Sequence, residues 1–228
     1  GPSHFQTNAG YPMRQAILSG ALACLMLPAA ACKIVPNPDP DAQSEASAAQ
    51  TDEARMAAYV EDRWQGEVLP VISENTVAYD DLQARLGEGL DAAGAAHGLR
   101  PEGEANPWNF VVSGSGTVTE AKLDSRAAKM QVDMDGDGTA DVTLQLGPVI
   151  RGTALRDAMP FIVFTDFRDQ IEFAKLARAM NERASAGLEK PEGEVVGEEV
   201  SFTGVFTLRA AGDTPEIVPT ELEMGGAP

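Results

Sequence analysis

The sequence predicts an α+β fold: an N-terminal pair of helices packed on a small five-stranded antiparallel barrel, with a further helix inserted between strands three and four. Three observations carry this reading. Apolar residues recur every fourth position before residue 100, the period changes to two at Asn109, and one helical segment interrupts the strands after Ile150.

The first helix is expected from Asp52, where Met56, Val60, Trp64 and Val68 stand four apart and Pro70 ends the run. A second runs from about Glu74 to His97, with Leu82, Leu86 and Leu90 as its stripe and Gly98 where a C-terminal cap belongs. His97 reads as a helix-end residue rather than a ligand. Strand one alternates through Phe110, Val112, Gly114, Gly116 and Val118, its glycines marking a bulge or sharp coil such as a small barrel needs to close. Strand two carries Met130 and Val132, and strand three Val142, Leu144 and Leu146. The inserted helix spans about Asp166 to Ala186, with Ile171, Phe173, Leu176, Ala177 and Met180 on its buried side. Strand four holds Val200, Phe202, Gly204, Phe206 and Leu208, and strand five Val218, Thr220, Leu222 and Met224. Five strands with a helix between the third and fourth is the order of an oligonucleotide/oligosaccharide-binding (OB) barrel. Helices on an unrelated antiparallel sheet are the alternative. The expected division is a helical subdomain over 51–108 and an OB-like barrel over 109–228.

Ahead of the fold lies an address. Residues 1–12 precede Met13 and read as a tag or upstream remnant. From Met13, a lone Arg14, an apolar run from Ala16 to Leu27, then Pro28 and three alanines lead to Cys32. That pattern describes a secretory signal over 13–31, too short in its apolar core to span a bilayer. A cysteine directly after the small residues marks a bacterial lipoprotein, in which Cys32 is acylated and becomes the new N-terminus; an ordinary signal with a chance cysteine is the plainer alternative. Residues 32–50, rich in Pro, Asp, Ser and Ala, read as a flexible tether.

Charge narrows the partners. The chain has 17 basic and 35 acidic residues, a net charge of −18. Removing residues 1–31 takes away only Arg14, leaving 16 basic against 35 acidic residues and a net charge of −19. Such a surface repels phosphate backbones, so nucleic acid is not an expected partner, and membrane attachment falls to the N-terminal lipid. Cys24 leaves with the signal and Cys32 is acylated, so no disulfide is expected.

Two local patterns stand out. Asp133, Asp135, Asp137 and Asp141, with Gly136 at position six and the Thr139 carbonyl, resemble the first part of a calcium loop, since alternate side chains there turn toward one point. The acid expected at position twelve is missing, because Leu144 stands there. A polar hairpin turn accounts for the same residues. The second pattern runs from Gly147 to Asp166, with Arg151, Arg156, Asp157 and Asp166. Its arginines could meet a partner's acidic or sugar oxygens, or pair internally with the two aspartates and pin the connection to the barrel. Trp64 and Trp108 could stack on sugar rings, although each fits the core equally well. No nucleophile–base set, phosphate loop or Cys/His cluster stands in the mature chain, so an enzyme is not expected.

CKIVP after the signal, PWNFVVSGSGTV, the Gly/Asp turn, LGPVIRGTALRDAMPFIVFTDF and QIEFAKLARAMN together resemble the bacterial family of predicted periplasmic lipoproteins. The resemblance covers nearly all of the mature chain and transfers one role, lipid attachment at Cys32. It implies a periplasmic, lipid-anchored protein. Family members tend to be encoded beside sugar-import ABC transporters, which implies a non-enzymatic accessory role with a transporter subunit as partner. Direct carbohydrate or calcium-dependent ligand binding is the alternative, with calcium the one cofactor under consideration.

Overall fold

The computed structural model describes residues 40–225, with 40–50 described by backbone alone. The signal segment, Cys32 and the start of the tether lie outside the described residues. Five strands close into a barrel: β2 (Trp108–Lys122), β3 (Ala127–Asp133), β4 (Val142–Pro148), β5 (Glu199–Leu208) and β6 (Glu216–Met224). Around the ring they follow the order β2-β3-β4-β6-β5, and β5 pairs back onto β2. Four ladders are antiparallel, while β4 and β6 are parallel over Thr143↔Glu216 and Leu144↔Ile217. A ring of five strands cannot alternate direction all the way round, so one parallel seam is unavoidable in a closed five-stranded barrel.

The long strand β2 serves two partners, β5 from Trp108 to Thr117 and β3 from Thr117 to Lys122. Its glycines sit where it coils from one to the other. A Cβ on Gly116 would stand 2.3 Å from the Asp133 carbonyl oxygen, and one on Gly114 would stand 2.6 Å from the Met134 methyl. Only a bare backbone allows that approach.

The barrel interior is filled by one apolar cluster, among it the fully buried Phe110, Phe206, Met130 and Leu144. A second cluster lies outside the wall, where Val111, Val205 and Val218 meet the helices. Helix α1 (Pro40–Arg63) supplies Met56 and Val60 to it. The chain continues through a π turn (Trp64–Val68) into α2 (Leu69–Asn75). The short α5 (Ala154–Asp157) and the long α6 (Gln170–Ala186) complete this layer. Ion pairs Asp52–Arg168, Glu53–Arg178 and Glu61–Arg183 rise together along both segments, so α1 and α6 lie side by side and run the same way. Helices α3 (Tyr79–Leu86) and α4 (Leu90–His97) plug one end of the barrel, with Leu82, Leu86 and Ala93 joining the interior cluster.

Four expectations are corrected. The first helix begins at Pro40, inside the stretch 32–50 read as a flexible tether. Pro70 does not end it: the π turn, with the Leu69 N–H on the Trp64 carbonyl, shifts the register, and Pro70 falls in the first turn of α2, where no N–H is needed. The segment 74–97 is not one helix. Thr76–Ala78 forms the short strand β1, parallel to β2, and Gly89 at φ +121° breaks α3 from α4. Helix α6 starts at Gln170 instead of Asp166, because the Asp169 side chain caps it by accepting the Glu172 N–H at 2.8 Å; Ile171 is 66% exposed. The helical stretch 51–108 and the barrel 109–228 share both cores, and the described residues fall in one compact unit.

Candidate functional site

The connection after β4 does not gather its four charged residues. Arg156 is mostly buried. Both Nε and one terminal nitrogen lie 2.8 Å from Asp157 Oδ1, the other terminal nitrogen donates to the Phe173 carbonyl at 3.0 Å, and the guanidinium stacks 3.7 Å from the Phe173 ring. Asp157 Oδ2 accepts from the Thr153 hydroxyl at 2.6 Å. This pair pins the connection to α6. Arg151 projects from a different face of the molecule, and Asp166 lies exposed on the rim of a groove.

That groove, about 1150 Å³, runs between α1 and the connection over residues 161–172. Met56, Tyr59, Phe161 and Phe167 give it an apolar wall, with the Tyr59 and Phe167 rings edge to face at 5.6 Å. One end is closed by a charged clasp. Arg168 holds Asp52 with two hydrogen bonds, at 2.5 and 3.1 Å, Arg55 bridges Asp52 and Glu172, and the Arg168 backbone N–H donates to Glu172 Oε2 at 2.6 Å. Asp52 and Glu172 are 4% and 3% exposed, so the clasp meets the need to pair every buried charge. The Arg168 and then the Arg55 hydrogen bonds hold the Asp52 carboxyl far below the usual carboxylate range. Asp169 is also lowered, first by its cap bond from Glu172 and then by Arg168. Burial pushes the Tyr59 hydroxyl up.

The apolar wall continues outward. Phe167 packs on Phe173 at 5.4 Å and Phe173 on Phe164 at 5.3 Å. Among the described residues Val163, Phe164 and Ile171 are three of the five exposed large apolar side chains, and they sit where α6 begins. Because α1 and α6 run in parallel, this is the side of the layer nearer the N-terminal end of α1. Sequence reasoning found Asp166 here but missed Asp52, Arg55, Tyr59, Arg63 and Glu172. An aspartate and a glutamate on amphipathic helices read as solvent-facing until their arginine partners, 116 and 117 positions away, are known.

In the β3–β4 turn, the oxygens of Asp133, Asp135 and Asp141 lie within 4.8 Å of one another. Asp133 is 5% exposed and accepts three backbone N–H groups, from Asp135 (3.2 Å), Gly136 (2.8 Å) and Gly138 (2.7 Å). The Gly138 bond leads in lowering its pKa. Asp135 moves the other way: the Asp137 N–H lowers it, but desolvation and the charges of Asp137 and Asp141 prevail and raise it. Asp137 is not brought into the cluster; its carboxylate accepts the Thr139 N–H at 2.7 Å. Three crowded carboxylates could take a cation, and the hydrogen bonds also complete a turn without one.

Neither tryptophan offers a ring face. Trp64 is 4% exposed, and Trp108 lies between the bare Cα atoms of Gly94 and Gly98 and the Arg100 guanidinium, 3.9 Å from its ring.

The architecture is that of an OB-type barrel with a helical layer added before and within it. A profile of the family described as predicted periplasmic lipoprotein (DUF2291) matches residues 21–223, a span that includes Cys32, and the chain belongs to that family. It is accordingly a lipid-anchored protein of the periplasm. The chain is also similar to an OB-fold protein from Thermotoga maritima, whose crystal structure aligns with a TM-score of 0.54 at 20% identity, over 77% of this chain and 97% of that one. That likeness concerns the fold alone. No curated protein matches the chain.

Proposed function

We propose that this lipoprotein is a non-enzymatic accessory module that docks on a membrane-resident partner, a subunit of a sugar ABC transporter. The observation that supports it is the aromatic-walled groove with the exposed Val163, Phe164 and Ile171 beside it, where the connection enters α6. Aromatic and arginine side chains around an apolar centre are the usual make-up of a protein-binding hot spot. The charged groups of the clasp are spent on one another, which leaves them holding shape rather than performing acid–base chemistry. Reach limits the partner. Residues 32–39 extend at most about 3.6 Å each and α1 rises about 1.5 Å per residue up to Asp52, so the groove stays within roughly 50 Å of a lipid on Cys32. The sugar-import partner follows from the family resemblance. A photo-cross-linker at position 164 of the lipidated protein, in its native envelope, tests this. Adducts to a permease subunit that vanish with Ile171→Asp support docking, whereas adducts to lipid alone, or none, refute it.

A second reading, a calcium-dependent ligand binder, is favoured by the crowding of Asp133, Asp135 and Asp141. Calorimetry on chelator-stripped protein decides it, since absence of calcium heat removes it.

A further inference from the structure

The helices cover β2, β5 and β6 from outside, but exposed and buried residues alternate along most of β3, so its outer face is bare. Between that face, the β2–β3 hairpin and the connection after β4 lies a hollow of about 400 Å³. That size is within the small-molecule range of roughly 300–1,000 Å³. Lys122, Lys129 and Arg151 line it, with Ser125, Thr143 and Gln145 between them and Glu216 at one side.

The charge of this hollow runs against the rest of the molecule. Acids outnumber bases 35 to 17, and every arginine of α1, α3 and α6 has a carboxylate within 3.9 Å. Lys129 and Arg151 have no such partner among the described residues, nor has Arg126 in the adjoining hairpin, and Lys122 reaches only Glu120, at 3.5 Å. Among the described residues Arg100, Lys190 and Arg209 also lack a carboxylate, but none of them lines this hollow, whereas Lys129 and Arg151 do so together, with Lys122 directly across the ladder from Lys129. Cations that converge without carboxylates repel one another until an anion arrives.

The hollow is also built. The Gln145 side chain grips the backbone of Arg151 from both sides, accepting its N–H at 3.0 Å and donating to its carbonyl at 3.4 Å. Lys129 stands directly across the ladder from Gln145, where the β3–β4 register shifts. Gly152, at φ +93°, turns the chain away immediately after Arg151.

We propose that this hollow binds a small organic anion, a carboxylate or phosphate carried on a polyol. The cations take the anionic group, the Ser125 and Thr143 hydroxyls and the Gln145 amide meet hydroxyl groups, and Glu216 accepts from a hydroxyl. This site is separate from the docking groove and stands or falls without it.

The test is titration of the isotope-labelled mature chain at low salt with galacturonate, glucose 6-phosphate and glucose. At least one anion shifts the Lys129, Gln145 and Arg151 amides, and which one does so identifies the headgroup; glucose leaves them in place. Loss of one charge-assisted contact in Lys129→Gln or Arg151→Gln weakens that anion about tenfold or more. Glu216→Gln tightens it, and Arg85→Gln, on α3, changes nothing. The proposal is overturned if neither anion shifts those amides, if glucose binds as well as the anions, or if both glutamine variants keep wild-type affinity while folded.

Discussion

Gly94 and Gly66 offer the same substitution in two helical settings, and the structure predicts opposite signs. Both lie inside helical turns, where glycine costs about 1 kcal/mol relative to alanine through the entropy it surrenders. Gly66 is exposed in the π turn and a Cβ there would meet nothing within 4 Å, so Gly66→Ala collects that term. On Gly94 a Cβ would stand 2.2, 2.3 and 2.4 Å from three atoms of the Trp108 indole. Carbon atoms rest at about 3.5–4.0 Å, so the ring must retreat by more than an ångström. Behind it lies the Arg100 guanidinium, and Trp108 opens β2, paired with Leu208 across the ladder. Overpacking of this kind costs about 1–3 kcal/mol and the lost cation–π contact about 0.5–1, against about 1 gained in helix propensity. The net is a loss of about 0.5–3 kcal/mol for Gly94→Ala, against a gain of up to about 1 for Gly66→Ala. At about 2–4 °C per kcal/mol for a domain of this size, calorimetric Tm falls by roughly 1–12 °C in the first variant and rises by up to about 4 °C in the second. A Gly94→Ala protein as stable as wild type, with unchanged tryptophan emission, would refute the assignment of α4 as the platform for the indole.

Three more outcomes follow. Leu82→Ala empties a fully buried position at the barrel plug and should cost about 3–5 kcal/mol, read as a lower urea midpoint with an unchanged m-value. Asp52, Asp133 and Asp169 all have lowered pKa values, so the stability they add is whole above the ordinary carboxylate range near 3.9 and drains as pH falls below it. Asp52→Asn should therefore be weaker at pH 7 yet lose less between pH 5 and pH 3, and parallel acid limbs would contradict this. Asp135, raised by its neighbours, is relieved by neutralisation: in chelator at pH 7, Asp135→Asn should melt higher than wild type, and any calcium-induced gain in Tm should shrink in that variant.

The barrel was legible because each strand writes its inner face in alternate residues, and the odd strand count then demands a parallel seam. The helices were legible as stripes but not as boundaries. Their ends depend on features a stripe does not contain: the positive φ of Gly89, the cap supplied by Asp169, and the π turn that carries Pro70 through. Ile171 shows the limit of the stripe itself. It stands in solvent because it lies on the face of α6 that carries Arg178 and Glu182, while the layer is met by the face of Glu172, Leu176 and Met180. The candidate sites were legible only in part. Arg151, Arg156, Asp157 and Asp166 cluster in the chain, but in space only Arg156 and Asp157 pair, while the clasp draws residues from segments that are distant in sequence.

The clasp bears on how an anchored barrel works. Asp52 and Arg55 stand within α1, and their partners Arg168 and Glu172 stand where the groove connection enters α6, so the clasp ties α1 to the wall of the groove. The barrel strands β2, β5 and β6 bury residues on both faces, with Val111, Val205 and Val218 outward to the helices and Phe110, Phe206 and Ile217 inward. The helical layer is consequently part of the same folding unit as the barrel. Separating the barrel by cutting before Trp108 would strip Met56, Val60, Trp64, Val68 and Ile72 from the outer cluster and remove the plug of Leu82, Leu86 and Ala93. Such a fragment should fail to fold, which makes point variants in the intact chain the sound way to separate docking from ligand binding.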